Sequence, residues 1–159
     1  MKSLTFQLVR GAGFTSRLIG WFGGGYYSHI DVLTPKGELR GARSDWLMNI
    51  PPGVRDRPSP YEKWARQTRF TINVMDTQYE AFWAFSDAQV GKPYDERGLV
   101  NTFLFGRDWR DDGQWWCSDL VAANLEVAGI IKLPAEIKSV EPGDCADIFA
   151  GLQASVQEV

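Results

Sequence analysis

The strongest structural signal in this sequence is a hairpin pattern between residues 27 and 44. Tyr27 to Thr34 is rich in aromatic and β-branched residues, Pro35-Lys36-Gly37 is typical of a turn, and Glu38 to Ser44 returns as a second strand. Strands joined by so short a turn are antiparallel, because a parallel pair needs a long crossover connection. The pattern therefore predicts a β-hairpin, which argues against a doubly wound parallel domain.

The rest of the chain mixes strand and helix patterns. Further strands are predicted at Leu4 to Val9 and at Phe70 to Val74. Helices are predicted at Thr15 to Phe22, from Ser59, from Thr77 to Gly91, from Cys117 to Ala128 and in the tail from Pro142. Irregular connections are expected at Pro51 to Pro58 and at Arg107 to Gln114. With 159 residues, these elements indicate one α+β domain over residues 1–159.

Composition excludes several classes of protein. The net charge is −3 and there is no basic tract, which argues against a nucleic-acid partner. No apolar run approaches the roughly 20 residues of a transmembrane helix, and the N-terminus lacks a secretory signal, so we expect a cytoplasmic chain without a transmembrane segment. Two cysteines without CxxC spacing indicate reduced thiols rather than a disulfide framework or a zinc site.

The chain has a single histidine, His29, and the positions of His29 and Cys117 in the predicted elements indicate a catalytic pair. Cys117 begins a predicted apolar helix, where the positive end of the helix dipole favours a thiolate. His29 lies on a predicted strand, and its imidazole can take up the thiol proton and return it to a leaving group. Such partners meet in the fold rather than along the chain. The pair predicts nucleophilic catalysis.

Structural interpretations of the same residues stay open. A lone histidine on a strand is more often structural, and free cysteines often simply pack in the core. Cys145 has no histidine of its own, so we interpret it as structural. Ser118 and Asp119 are expected to satisfy free N–H groups of the first helical turn. Residues 11–16 look like a dinucleotide-binding turn, but Ser16 replaces the third glycine and a hairpin follows, so no nucleotide is expected.

Five segments, taken in order, resemble the circularly permuted branch of the NlpC/P60 papain-like cysteine hydrolases. They are Ser16-Arg17-Leu18-Ile19 ahead of Tyr27-Ser28-His29-Ile30, the hairpin to Gly41-Ala42, Gly91-Lys92-Pro93-Tyr94-Asp95, Trp116-Cys117-Ser118-Asp119-Leu120-Val121 with Gly129 after it, and Pro142-Gly143-Asp144. In the usual members the cysteine helix precedes the histidine strand, and in the permuted members the order is reversed, as here.

The resemblance implies a papain-like α+β fold in which an antiparallel sheet packs against helices. It implies Cys117 as the nucleophile and His29 as the general base and acid. It also implies an oxyanion hole built partly from backbone N–H groups at the start of the Cys117 helix.

The family's third polar residue, which orients the histidine, falls at or beside Gly41, and glycine has no side chain. Asp31, Ser44, Asp45, a backbone carbonyl or a water are the alternatives for this role. We favour Asp45, because a short carboxylate just beyond the strand can reach back toward the ring.

The function expected from the resemblance is hydrolysis of an amide in bacterial cell-wall peptides through a thioester acyl-enzyme, without a metal or cofactor. Tyr27, Tyr94, Trp115 and Trp116 are the predicted substrate-binding side chains. One rival is lipid acyl transfer or ester hydrolysis, and another is a non-catalytic structural or binding component of a phage or envelope assembly. For a wall hydrolase without a visible export signal, the alternatives are release at lysis, packaging in a virion or a cytoplasmic recycling role.

Overall fold

The computed structural model describes residues 1–11, 26–95, 113–137 and 139–159. Six strands form one sheet: β1 (Lys2–Arg10), β2 (His29–Leu33), β3 (Leu39–Arg43), β4 (Gly53–Arg57), β5 (Arg66–Val74) and β6 (Ser155–Glu158). The helix predicted at residues 15–22, nearly all of the turn at residues 11–16 and most of the loop predicted at residues 107–114 lie outside the described residues.

Every neighbouring pair of strands in the sheet is antiparallel, in the order β4-β3-β2-β1-β5-β6. The hairpin prediction is confirmed, because Leu33 of β2 pairs with Leu39 of β3 across the turn. The β1 strand lies in the middle of the sheet, and its Val9 is paired with His29, the first residue of β2. His29 therefore lies at one end of the sheet.

The described residues contain three helices: α1 (Asp76–Gln89), α2 (Cys117–Val127) and α3 (Pro142–Gly151). They cover one face of the sheet, which is the face formed by alternate apolar residues of each strand. Phe6 of β1 shows how the layers interlock, since its ring stacks on Phe149 of α3 at 4.5 Å and meets Phe82 of α1 edge-on at 5.9 Å. The α+β prediction is confirmed.

The β4 strand occupies part of the segment predicted to be irregular. Gly53 to Arg57 pairs along its whole length with β3, and the prolines at positions 52 and 58 lie outside the strand, where they interrupt no hydrogen bond. The β6 strand at the chain end was also missed, because its four residues are all exposed and carry no apolar alternation.

The helix predicted from Ser59 is wrong. Residues 58–65 have neither helical nor strand structure in their backbone, and Tyr61 is instead buried. Its burial, together with the packing of Trp64 against its ring, outweighs the local helix-start signal. From this segment the Tyr61 hydroxyl reaches Asp31 on β2.

Arg40 joins the sheet to α1. Its guanidinium donates to Asp56 on β4, with Nη2 2.8 Å from Oδ2, and to Ser86 on α1, with Nη1 3.2 Å from Oγ. Nη1 also donates to Asp87, and the arginine is 8% exposed. The largely buried Arg40 guanidinium therefore holds β4 and α1 together through three acceptors. Removing it would leave Asp56, Ser86 and Asp87 without this donor.

No helix among the described residues combines the length and the apolar character that crossing a bilayer requires.

We expect Arg40→Ala to lower the free energy of unfolding by about 2 kcal/mol, because it leaves the half-buried Asp56 without its donor. Arg66→Ala is the matched control, since Arg66 pairs with Glu158 on the surface, and its loss is expected to cost less than about 1 kcal/mol. Urea denaturation of the two variants measures the difference. Equal costs would show that Arg40 does not connect the layers.

Candidate functional site

His29 and Asp31 form the core of the site. They are two residues apart on β2, so their side chains project to the same side of the sheet, away from Ile30 and Val32, which pack in the core. The Nε2 atom of His29 lies 2.9 Å from Oδ1 of Asp31. Since a carboxylate only accepts, this nitrogen carries a proton, and Nδ1 is the ring nitrogen left for another partner.

Cys117 is the first residue of α2, with Trp116 as the N-cap. The helix packs on β2 and β3, which brings its first turn to the end of the sheet where His29 lies. His29 interacts with Cys117 both by a side-chain hydrogen bond and electrostatically. The structure therefore brings together the two residues that the sequence singled out, although they are far apart along the chain.

The pair is largely shielded from water. Cys117 is 7% exposed and the side chain of His29 is 12% exposed. Burial alone would lower the pKa of His29, but the negative charges of Asp31 and Cys117, and hydrogen bonds to both, outweigh it and raise the pKa to about 9. At neutral pH the imidazole between these two groups is therefore protonated.

Asp31 is fully buried, and each of its carboxylate oxygens has a partner. Oδ1 accepts from His29, and Oδ2 accepts from the hydroxyl of Tyr61. Burial by itself would raise the pKa of Asp31, but the charge and hydrogen bond of His29, the Tyr61 hydrogen bond and the charge of Arg57 lower it. The carboxylate is thus held ionised although its side chain has no surface exposed to solvent.

Gly41 makes room for this carboxylate. A Cβ atom added at Gly41 would lie 1.9 Å from Oδ1 of Asp31 and 3.0 Å from its Cγ, which is far closer than carbon and oxygen can pack. The glycine at the place where the resemblance expects a polar side chain is therefore part of the site. The carboxylate comes from the histidine's own strand and occupies the space that a side chain at position 41 would need.

The structure corrects the choice of Asp45 as the orienting residue. Asp45 forms a two-pronged ion pair with Arg43, at 2.8 Å from both Nε and Nη2, and it does not contact His29. Ser44 is exposed. Among the alternatives that the sequence left open, Asp31 is the one in contact with the ring, because residues at positions i and i+2 of a strand share a face.

The four predicted substrate-binding residues occupy different places. Trp115 is buried, its ring meets Phe85 edge-on and its N–H donates to Gln89, so it belongs to the core rather than to a groove wall. Trp116 is partly exposed beside Cys117, and its N–H donates to the carbonyl of Asp95 at 2.9 Å. Only the second tryptophan keeps a surface that a substrate can touch.

Tyr94 is the predicted residue with the clearest link to the thiol. Its backbone pairs with that of Trp115, two residues before Cys117, and burial, followed by the negative charge at Cys117, raises the pKa of Tyr94. Tyr27 instead donates its hydroxyl to Thr68 at 3.0 Å and packs edge-on against Phe70, which is a structural role.

The residues interpreted as structural around Cys117 fulfil their predicted roles only in part. Asp119 accepts a hydrogen bond from the backbone N–H of Val140 at 2.9 Å, which anchors the first turn of α2 to the chain leading into α3. Cys145 is 1% exposed, and burial raises the pKa of its thiol well above the ordinary value. The burial of Cys145 agrees with its predicted structural role. The N–H that Asp119 binds lies outside the first turn of α2, where its partner was expected, and the buried Ser118 hydroxyl has no hydrogen-bond partner among the described residues.

Tyr61, Trp64 and Arg57 were missed by the sequence interpretation. Tyr61 contacts Asp31, the ring of Trp64 lies parallel to that of His29 at 6.5 Å, and the charge of the buried Arg57 acts on Asp31. Two closely spaced aromatic residues in a proline-rich connection are the signal that could have indicated a covering segment. Nothing in the local pattern indicates which residue they cover.

No protein-family model matches this chain, and no curated protein matches it either. Among solved structures, the metalloprotein YiiX (DUF1105) of Escherichia coli O157:H7 is similar, with a TM-score of 0.57. The similarity covers 82% of this chain and 67% of that chain, at 16% sequence identity. At this identity the likeness concerns the fold alone.

We expect Gly41→Ala to destabilise the protein by about 2 kcal/mol, because the new methyl group collides with the buried Asp31 carboxylate. In an Asp31→Ala background the same change should cost less than about 0.5 kcal/mol, since the collision is gone. Urea denaturation of the four proteins in this cycle measures the coupling.

Gly151→Ala is the matched control, because a Cβ atom there meets open space. A Gly41→Ala cost that equals that of the control, or that is unchanged without Asp31, would contradict the role of Gly41.

Proposed function

We propose that this protein is a cysteine-dependent amide hydrolase with the permuted papain-like architecture of the NlpC/P60 hydrolases. The observation that carries the proposal is the position of His29, which is hydrogen-bonded to Asp31 on one side and to Cys117 on the other. A nucleophile, a base and an orienting group in mutual contact are the parts that acyl transfer requires. The α+β fold with an antiparallel sheet agrees with this architecture.

The first half of the reaction is acylation. The Cys117 sulfur attacks the amide carbonyl, and the developing oxyanion is stabilised by backbone N–H groups of the first turn of α2, which no intrahelical carbonyl occupies. The protonated His29 then donates its Nδ1 proton to the departing amine, while its Nε2–H stays on the ring and remains hydrogen-bonded to Asp31. A thioester at Cys117 and a free amine result.

The second half is hydrolysis of this thioester. Acylation removes the negative charge of Cys117, which is one of the causes that raise the pKa of His29. The pKa of the imidazole therefore falls, and the ring, having lost a proton to the amine, can accept one from an attacking water. His29 thus acts first as an acid and then as a base, and the loss of negative charge at the Cys117 sulfur causes the change from one role to the other.

The substrate we favour is a peptide of the bacterial cell wall. Tyr94 and Trp116 lie beside Cys117 and offer one aromatic surface each to a bound chain. Such partly exposed aromatic groups suit an extended peptide, whose backbone and side chains alternate polar and apolar contacts. A role after release at lysis or in a virion remains part of this proposal.

A non-catalytic role was suggested by the missing side chain at position 41. Asp31 supplies a carboxylate to His29 from the histidine's own strand, so the sequence departure at Gly41 no longer speaks against catalysis.

A metal-dependent function finds no support in the donor set. YiiX is a metalloprotein by its description. Within the described part of this chain, however, no three His, Cys, Asp or Glu side chains are grouped so that they could hold a metal ion. His29 and Asp31 engage each other rather than converge on a common point. We therefore derive no step through a metal.

Lipid acyl transfer is the second candidate, and a tight hairpin after β3 favours it. Leu47 and Ile50 exchange two backbone hydrogen bonds around Met48 and Asn49, which both have positive φ. Trp46 is 71% exposed and Met48 59% exposed, and this apolar tip leaves the sheet at the end where His29 lies. Tryptophan favours the membrane interface, so the tip is suited to a lipid surface.

The thiol test compares the rates at which iodoacetamide alkylates the wild-type protein and two variants, His29→Ala and Cys145→Ala, at pH 7. We expect rapid labelling of Cys117, slowed at least about tenfold by His29→Ala, because the imidazolium stabilises the thiolate. The Cys145→Ala variant is the matched control and should react as the wild type does, since its buried thiol is protonated. Slow labelling that is indifferent to His29 would contradict the proposal.

The substrate test incubates the protein with cell-wall peptides and, separately, with phospholipid vesicles, and compares the products with those of Cys117→Ala. We expect a new amine from the peptides and no acyl product from the lipids. Acyl transfer that requires Cys117 and is lost in Trp46→Ser would establish the second candidate instead.

A further inference from the structure

Asp31 is held from two sides, and the second side is Tyr61. One carboxylate oxygen accepts from His29, and the other accepts from the Tyr61 hydroxyl. The terminal torsion of an aspartate is broad, so a carboxylate with one partner can rotate away from the best geometry. A second hydrogen bond to the other oxygen removes this freedom and fixes the lone pairs that face Nε2 of His29.

Tyr61 itself is oriented by Arg43. The guanidinium of Arg43 lies 5.2 Å above the phenol ring, and its Nη1 donates to the hydroxyl oxygen at 3.4 Å. Because the hydroxyl oxygen accepts from Arg43, its hydrogen is directed to Asp31. Burial, and after it the negative charge of Asp31, raise the pKa of Tyr61, so the phenol keeps this hydrogen.

Arg43 is held in turn by carboxylates at the end of β3. Asp45 binds its Nε and Nη2 at 2.8 Å each, and Glu62 accepts from Nη2 at 3.3 Å. Asp45, which the sequence suggested as the group that orients His29, therefore belongs to the same network but acts at its far end.

Trp64 completes the cover. Its ring meets that of Tyr61 edge-on at 5.4 Å and lies nearly parallel to His29. The segment 58–65 has no helix or strand of its own, so these side-chain contacts with β2 and β3, together with the hydrogen bond from the Ala65 N–H to the carbonyl of Arg10, hold it in position.

We propose that Tyr61 is a positioning residue of the hydrolase: it acts through Asp31, whose carboxylate it locks against Nε2 of His29, and it is held in place by Arg43. This inference rests on the proposed function for its catalytic meaning. The charged and titratable groups that face the His29–Asp31 pair are Tyr61 from the covering segment, Arg57 from β4, and Cys117 from α2.

The test measures how fast the Nε2–H proton of His29 exchanges with water, by NMR. His29 is the chain's only histidine, so the assignment is unambiguous. In Tyr61→Phe we expect exchange at least about tenfold faster than in the wild type, because the loosened carboxylate protects the proton less well. Tyr79→Phe, a tyrosine on α1 far from the site, is the matched control and should leave the exchange unchanged.

A second measurement separates positioning from general destabilisation. Tyr61→Phe should slow iodoacetamide labelling of Cys117 about three- to tenfold in the wild type, and should add nothing in an Asp31→Ala background, because the route through the carboxylate is gone. Arg43→Lys keeps the positive charge and leaves the Tyr61 phenol in place, but it removes the planar guanidinium that stacks on the ring. We expect this variant, like Tyr61→Phe, to accelerate exchange of the His29 Nε2–H proton.

Unchanged exchange in both Tyr61→Phe and Arg43→Lys, or an equal Tyr61→Phe effect with and without Asp31, would overturn the proposal. The exchange rate is a property of the free protein and needs no turnover. A protein that fails the alkylation test can therefore still confirm the role of Tyr61 as a structural lock, and an active protein can still refute it.

Discussion

The fully buried negative charge of Asp31 is the interaction on which the site depends. An isolated carboxylate in the protein interior would take up a proton rather than stay charged. Here it has a hydrogen bond from His29, another from Tyr61, the charge of Arg57 and a glycine that leaves space for it. Because the charge persists, the imidazole beside it stays protonated and oriented.

The sheet and the helix packed on it fix the relative positions of His29, Asp31 and Cys117. Strand geometry places residues 29 and 31 on one side of β2, and the neighbouring β3 strand brings Gly41 against Asp31. Helix α2 is packed against the same two strands and against α1, so its first residue cannot shift without disturbing the core. Cys117 on a packed helix and His29 on a paired strand are therefore held in a fixed geometry relative to each other.

Sequence reasoning predicted the parts of this site that depend on local pattern. The hairpin, the start of α2 and the contact between Cys117 and His29 followed from strand alternation, helix signals and the chemistry of the two residues. The orienting group did not, because the resemblance places the third residue on the strand after the histidine, and the glycine at that place directed the choice to Asp45 beyond it rather than to Asp31 on the histidine's own strand. The covering segment 58–65 was misread as a helix, since a local capping pattern carries no information about the buried partner of Tyr61. The resemblance to the NlpC/P60 hydrolases indicated where a third residue belongs, and the space at Gly41 explains why this chain has none there.

The central claim is that His29 lies between two negative groups, and titration of its ring protons by NMR tests it most directly. The account predicts a pKa of about 9 in the intact protein, well above the ordinary 6.5, and a clear decrease in Cys117→Ala, where one of the two charges is gone. By linkage, this imidazole stabilises the fold fully below pH 6.5 and ceases to do so as the pH rises through about 9. A ring that titrates at or below its ordinary value, with no response to the loss of the sulfur, would contradict the account.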